Sequence, residues 1–89
     1  MILRHYIRNN RNQPTALLVG TLDNGKLKVG WSAQNQAKEK NFYKADAINL
    51  AEIRLFKHGY VKEHAPKRVH AALPEFLGRM ERYYHLGDS

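Results

Sequence analysis

Five histidines, fifteen lysines and arginines and no cysteine define the chemistry open to this chain of 89 residues. His58, His64 and His70 recur every six residues, a spacing that puts no two of them one turn apart on a helix. There is no His-Glu-x-x-His string, and without cysteine there are no thiolate metal sites, disulfides, redox motifs or Cys nucleophiles. His64 and His70 with Lys67 could act as base, acid and phosphorane-stabilising cation in RNA cleavage. The same histidines serve equally well as surface residues or helix caps. The six glycines lie singly, so no Gly-rich nucleotide loop is present. The chain is therefore read as a binding protein, not an enzyme, with no metal and no cofactor.

Charge is the stronger signal. Lys and Arg outnumber Asp and Glu by 15 to 8, a net charge of +7. A surplus of that size suits a polyanionic partner, above all nucleic acid. The chain is short for a self-sufficient core, and small domains without disulfides often gain buried area from a second copy, so a homodimer is expected. No apolar run approaches a membrane span, and Met1 leads into Arg4 and His5 without a signal-peptide core. The expectation is a soluble cytoplasmic protein with no membrane partner.

The elements that must position these cations are legible from period and punctuation. Residues Leu3 to Asn9 alternate as a strand, a polar break runs from Asn9 to Pro14, and Ala16-Leu17-Leu18-Val19 follows as an apolar run. Asp23-Asn24-Gly25-Lys26 matches a two-residue type I′ hairpin turn. From Lys26 to Ala33 the period is two, with Leu27, Val29, Trp31 and Ala33 on one side. Residues 34–43 make a polar connection. A helix follows from Lys44, with Ala45, Ile48, Ala51, Leu55 and Phe56 as its stripe and Gly59 closing it. Leu50 and Ile53 fall off that stripe, so this helix is expected to be sandwiched by the C-terminal helix or by another subunit. Pro66 opens a short helix and Pro74 a second one. Phe76, Leu77, Met80 and Tyr83 or Tyr84 form the buried stripe, and Gly87 ends it. The fold class is α+β: one domain, 1–89, in which a three-stranded antiparallel meander is followed by two to three helices packed on one sheet face.

If the helices cover the face carrying Leu27, Val29 and Trp31, the opposite face is open. It then presents Arg4, Tyr6, Arg8, Lys26 and Lys28, cations around an aromatic that could stack a base. An ordinary solvent-facing sheet surface with lysines for solubility has the same composition. The connection adds Lys38, Lys40 and Lys44 around Phe42 and Tyr43, the make-up of a single-strand-binding loop, although Phe42 serves equally as an anchor for the helix. Lys57 and His58 complement a helix C-terminus, whereas Lys67 and Arg68 at a helix start oppose its dipole and suit an anion. Met80, Tyr83, Tyr84 and Leu86 form an apolar strip that would mark a dimer seam or a protein-docking face.

Gly30-Trp31-Ser32, the Lys-rich connection, Phe42, Lys44-Ala45 and Ala51-Glu52-Ile53-Arg54 resemble a pattern in small accessory proteins of T4-like phages. The resemblance covers roughly residues 1–59. It implies an anti-defence factor in the host cytoplasm that binds RNA as a dimer and, with RNA assisting, holds a host endoribonuclease toxin inactive. No site residue is carried over from it.

The expected function is RNA binding with weak sequence preference, since no base-reading motif is present. Arg4, Arg8, Arg11, Lys26, Lys28, Lys38, Lys40 and Lys44 would neutralise phosphates, joined by Lys67 and Arg68, while Tyr6 or Tyr43 stacks. About five contacts to a single strand would give a log–log salt slope of about −3.5. The alternative is an inhibitor that docks an acidic patch on a host enzyme and touches no nucleic acid.

Overall fold

The computed structural model describes residues 2–34, 42–57, 60 and 64–85. Three strands, β1 (Leu3–Arg8), β2 (Pro14–Asp23) and β3 (Lys26–Ala33), form an antiparallel sheet in the order β1-β2-β3. Two helices follow, α1 (Lys44–Lys57) and α2 (Lys67–Tyr83). The α+β class, the meander and its order are as the sequence predicts.

Both turns follow from local chemistry. Asn24 and Gly25 have φ of 52° and 78°, the positive pair a type I′ turn requires, and Asp23 pairs with Lys26 across it. Between β1 and β2 the Asn9 side chain accepts hydrogen bonds from the Arg11 and Gln13 amides at 2.9 and 3.0 Å. Asn12 takes the left-handed conformation at φ 62°.

The placement of the helices departs from the expectation of one covered face. The two helices lie on opposite faces of the sheet. α2 covers the face carrying Leu3, Ala16, Leu18, Val29 and Trp31, packing Val69, Phe76 and Met80 against it. α1 covers the other face, where Ala47, Ala51 and Leu55 meet Leu17 and Val19. β2 is thus buried on both sides, and Ala16, Leu17, Leu18 and Val19 are all 0% exposed. The physical reason lies in those four consecutive apolar residues. A strand with one wet face alternates, and an unbroken run must be covered twice. Burying each large side chain of the run stabilises the fold by about 1.5–3 kcal/mol.

The stripe of α1 is also rotated from its sequence assignment. Ala47, Ala51 and Leu55 are buried and Ile48 is half-buried, while Ala45 and Phe56 face solvent. Close approach decides this. A Cβ on Gly30 would lie 2.6 Å from the Leu55 amide nitrogen and collide with the Ala51 carbonyl, so α1 rests directly on the β3 backbone. Small Ala47 and Ala51 permit that contact where Ile or Phe would hold the helix away.

α2 is one continuous helix, not two, and runs through Pro74. The prolyl ring removes one helical hydrogen bond, a cost of ~3 kcal/mol in a helix interior. Val69 on one side of it and Phe76 and Met80 on the other share a single sheet-facing stripe, which holds the two halves collinear. Met80 is buried, so the apolar strip expected with Tyr83 and Tyr84 lacks its centre. Gly59, Leu86 and Gly87 lie outside the described residues.

Candidate nucleic-acid interface

The strand register divides the predicted site. Lys26 and Lys28 lie beside the β2–β3 turn, and Arg8 and Arg11 beside the β1–β2 turn, at the opposite end of the sheet. Arg4 sits between them. The face these residues share is not an open platform, because α1 covers its centre.

Tyr6 is the clearest correction. It packs half-buried against the α1-face core, with Phe42 edge-on at 6.4 Å and the Lys44 ammonium 5.2 Å from its ring centroid. Lys44 thus covers the ring from within the chain and competes with a base for that surface. Phe42 is the anchor that seats the start of α1, and Tyr43 stands 64% exposed beside it. Lys28 is held by Asp23 at 2.6 Å, and Arg4 reaches Glu52 at 3.9 Å. The Arg4 carbonyl accepts from Arg79 at 3.1 Å, which ties α2 to the edge of β1. Lys38 and Lys40 lie outside the described residues, as do His58 and Lys62.

A different grouping emerges at the β1–β2 end. α1 begins there, because Lys44 covers Tyr6 and the Ala47 carbonyl accepts from buried Ser32 at 2.8 Å. α2 begins there too, because Arg68 donates to the Thr15 and Gln34 carbonyls at 3.3 and 2.6 Å. Arg8 donates to the Asn12 carbonyl at 3.0 Å, which places its charge on the same turn as Arg11. Arg8, Arg11, Lys44, Lys67 and Arg68 therefore lie at the end of the sheet where both helices start, Lys44 on the α1 side and Lys67 and Arg68 on the α2 side. The first turn of α2 holds no acid, and that of α1 holds Asp46. Arg11 and Lys67 make no side-chain hydrogen bond or ion pair among the described residues. Arg68 is mainly structural, with two carbonyls on its guanidinium and a buried Nε.

Sequence reasoning missed that grouping because it treated the sheet face as the platform. The start of α2 and the β1–β2 turn are 53 residues apart at the Arg68–Thr15 contact. The sequence reading assigned Arg54 no contact; its guanidinium lies 3.9 Å from the Trp31 ring centroid.

His70 is taken up in structure. Its Nδ1 is hydrogen-bonded to the Tyr60 hydroxyl, and the two rings meet edge-on. Burial raises the Tyr60 pKa above its ordinary value and lowers that of Arg54, which stays charged. Among the described residues no three His, Asp or Glu side chains converge as a metal site, and no helix is long and apolar enough to cross a membrane. Comparison with family models, characterised proteins and solved structures finds no match.

Proposed function

We propose that this chain binds single-stranded RNA through the phosphate backbone, with weak sequence preference, at the end of the sheet where both helices begin. One observation carries the reading: Arg8, Arg11, Lys44, Lys67 and Arg68, from four separate segments, all lie at that end of the sheet. Backbone phosphates are recognised by such cations and helix starts, without base contacts. The resemblance to phage accessory proteins supplies the setting, an RNA-assisted inhibitor of a host endoribonuclease toxin.

With Arg68 engaged internally, about four cations remain for phosphates. The log–log salt slope on a labelled single-stranded RNA is then about −2.8, measured by fluorescence anisotropy. A DNA strand of the same sequence distinguishes the sugar. A slope near zero overturns the reading.

The packing of Tyr6 favours a second reading, because it leaves only Tyr43 of the two stacking candidates on the surface, and stacking is a contact that a nucleic acid would use and a protein would not. In that reading the same cationic end docks an acidic protein surface. Reversing Arg11 and Lys67 to Glu then weakens a protein complex, while RNA retention stays trivial throughout.

A further inference from the structure

We infer that the outer face of α1 is the seam of a two-fold homodimer in which α1 packs antiparallel against α1 of a second copy. Among the described residues the helix is not sandwiched, because α2 lies on the far side of the sheet. Leu50, Ile53 and Phe56 are left 40%, 50% and 62% exposed. Scattered apolar residues on a surface need no explanation, but these three line one face of one helix.

The spacing along that face identifies the occupant. Asp46, Leu50, Ile53 and Lys57 follow one another at intervals of four, three and four, the seam spacing of paired helices. All four are exposed. Asp46 and Lys57 have no ion-pair partner among the described residues. The strip is therefore acid, apolar, apolar, base, and it is complementary to itself when reversed. An antiparallel copy sets Asp46 against Lys57 of the partner subunit and Leu50 against Ile53 of the partner subunit, and the two-fold repeats both pairs. A parallel copy would set acid on acid and base on base. Antiparallel pairing also opposes the helix dipoles.

The shape agrees. A shallow depression on this face is lined by Asn49, Glu52, Ile53, Phe56 and Lys57. A leucine knob fits a hole of that form, and the antiparallel register brings Leu50 of the partner subunit to it. The helix is 14 residues, about 21 Å long, so the seam falls in the size class of transient assemblies. A dimer with a micromolar dissociation constant is expected.

The test is sedimentation of the full chain from about 5 to about 500 μM, which brackets that affinity. Nuclease-treated protein, washed in high salt and then run at low salt, carries no bridging nucleic acid and keeps the Asp46–Lys57 pairs unscreened, so the result is independent of RNA binding. The mass should rise from monomer to dimer with concentration. Ile53→Asp should stay monomeric with unchanged circular dichroism. Asp46→Lys and Lys57→Asp should each raise the dissociation constant about tenfold or more, and the double exchange should restore it. A monomer at every concentration overturns the inference and leaves the face to another protein. A dimer indifferent to Ile53→Asp overturns the seam, and failure of the double exchange to rescue overturns the antiparallel arrangement.

Discussion

The Arg54 guanidinium lies over the Trp31 ring at 3.9 Å and donates to the Trp31 carbonyl at 3.0 Å. One side chain thus reaches from α1 around the edge of the sheet. It stacks on an indole that belongs to the α2-face core, and it occupies a carbonyl on the outer strand. With Gly30 under the α1 backbone and Ser32 bonded to the Ala47 carbonyl, all three residues of Gly30-Trp31-Ser32 serve to dock α1. The edge of β3 is blocked by the same contact, which hinders strand-to-strand association.

Replacing Arg54 by Ala should therefore cost about 1–3 kcal/mol, from the stacked cation and a charged hydrogen bond together. Arg54→Lys should recover only part of it, since an ammonium cannot stack flat and bond the carbonyl at once. Urea unfolding followed by the fluorescence of Trp31, the single tryptophan, reports both stability and the loss of the cation.

Two glycines should respond differently to the same added methyl. At Gly30 a Cβ meets backbone atoms of Ala51 and Leu55, so α1 must lift. At Gly20 it meets the Met80 side chain at 2.5 Å and Phe76 at 2.9 Å, and the flexible thioether can turn aside. Gly30→Ala should cost about 3 kcal/mol or more and Gly20→Ala about 1–2 kcal/mol, the range for overpacked sites. Thermal melts of the two variants, compared with the unaltered chain, check the order.

Tyr60 should make stability fall at alkaline pH. Burial raises its folded-state pKa above the ordinary value, so the folded chain holds the phenolic proton after the unfolded chain has released it. The contribution is complete below pH of about 10 and is lost as pH rises through the higher folded value. Tyr60→Phe should remove this part of the alkaline slope. It should also cost ~1 kcal/mol at neutral pH through the lost bond to His70. Denaturant unfolding at a series of pH values from neutral upward measures both effects.

The two ends of the sheet should differ in RNA binding. Arg11→Ala and Lys67→Ala should each lower affinity uniformly across sequences and reduce the salt slope by about 0.7. Lys26→Ala, at the far end beside the Asn24-Gly25 turn, should leave the slope unchanged. Anisotropy titrations at several salt concentrations give the three slopes. Equal losses at all three positions would mean diffuse attraction to the net charge, with no localised site.

The three strands, their order, the Asn24-Gly25 hairpin and the helical character of the chain beyond Lys44 were legible in the chain, because each depends on near neighbours. Period two from Lys26 to Ala33 and two positive-φ residues in a turn are local events. Even the double covering of β2 was written in the run Ala16-Leu17-Leu18-Val19, whose lack of alternation was the available sign. Likewise the spacing of Val69, Phe76 and Met80 continues across Pro74 and marks one helix. Which side of the sheet each helix takes, and how far α1 turns about its axis, are settled only by packing. α1 is apolar around much of its girth, so its own pattern does not single out one rotation. Gly30 accepts only the one that brings Ala47 and Ala51 down, and that choice exposes Leu50, Ile53 and Phe56. The same choice closes the face on which Tyr6 and the strand cations had been expected to act. Arg8 and Arg11 instead share an end of the sheet with Lys67 and Arg68, because contacts 34 and 53 residues apart in the chain bring the start of α2 there.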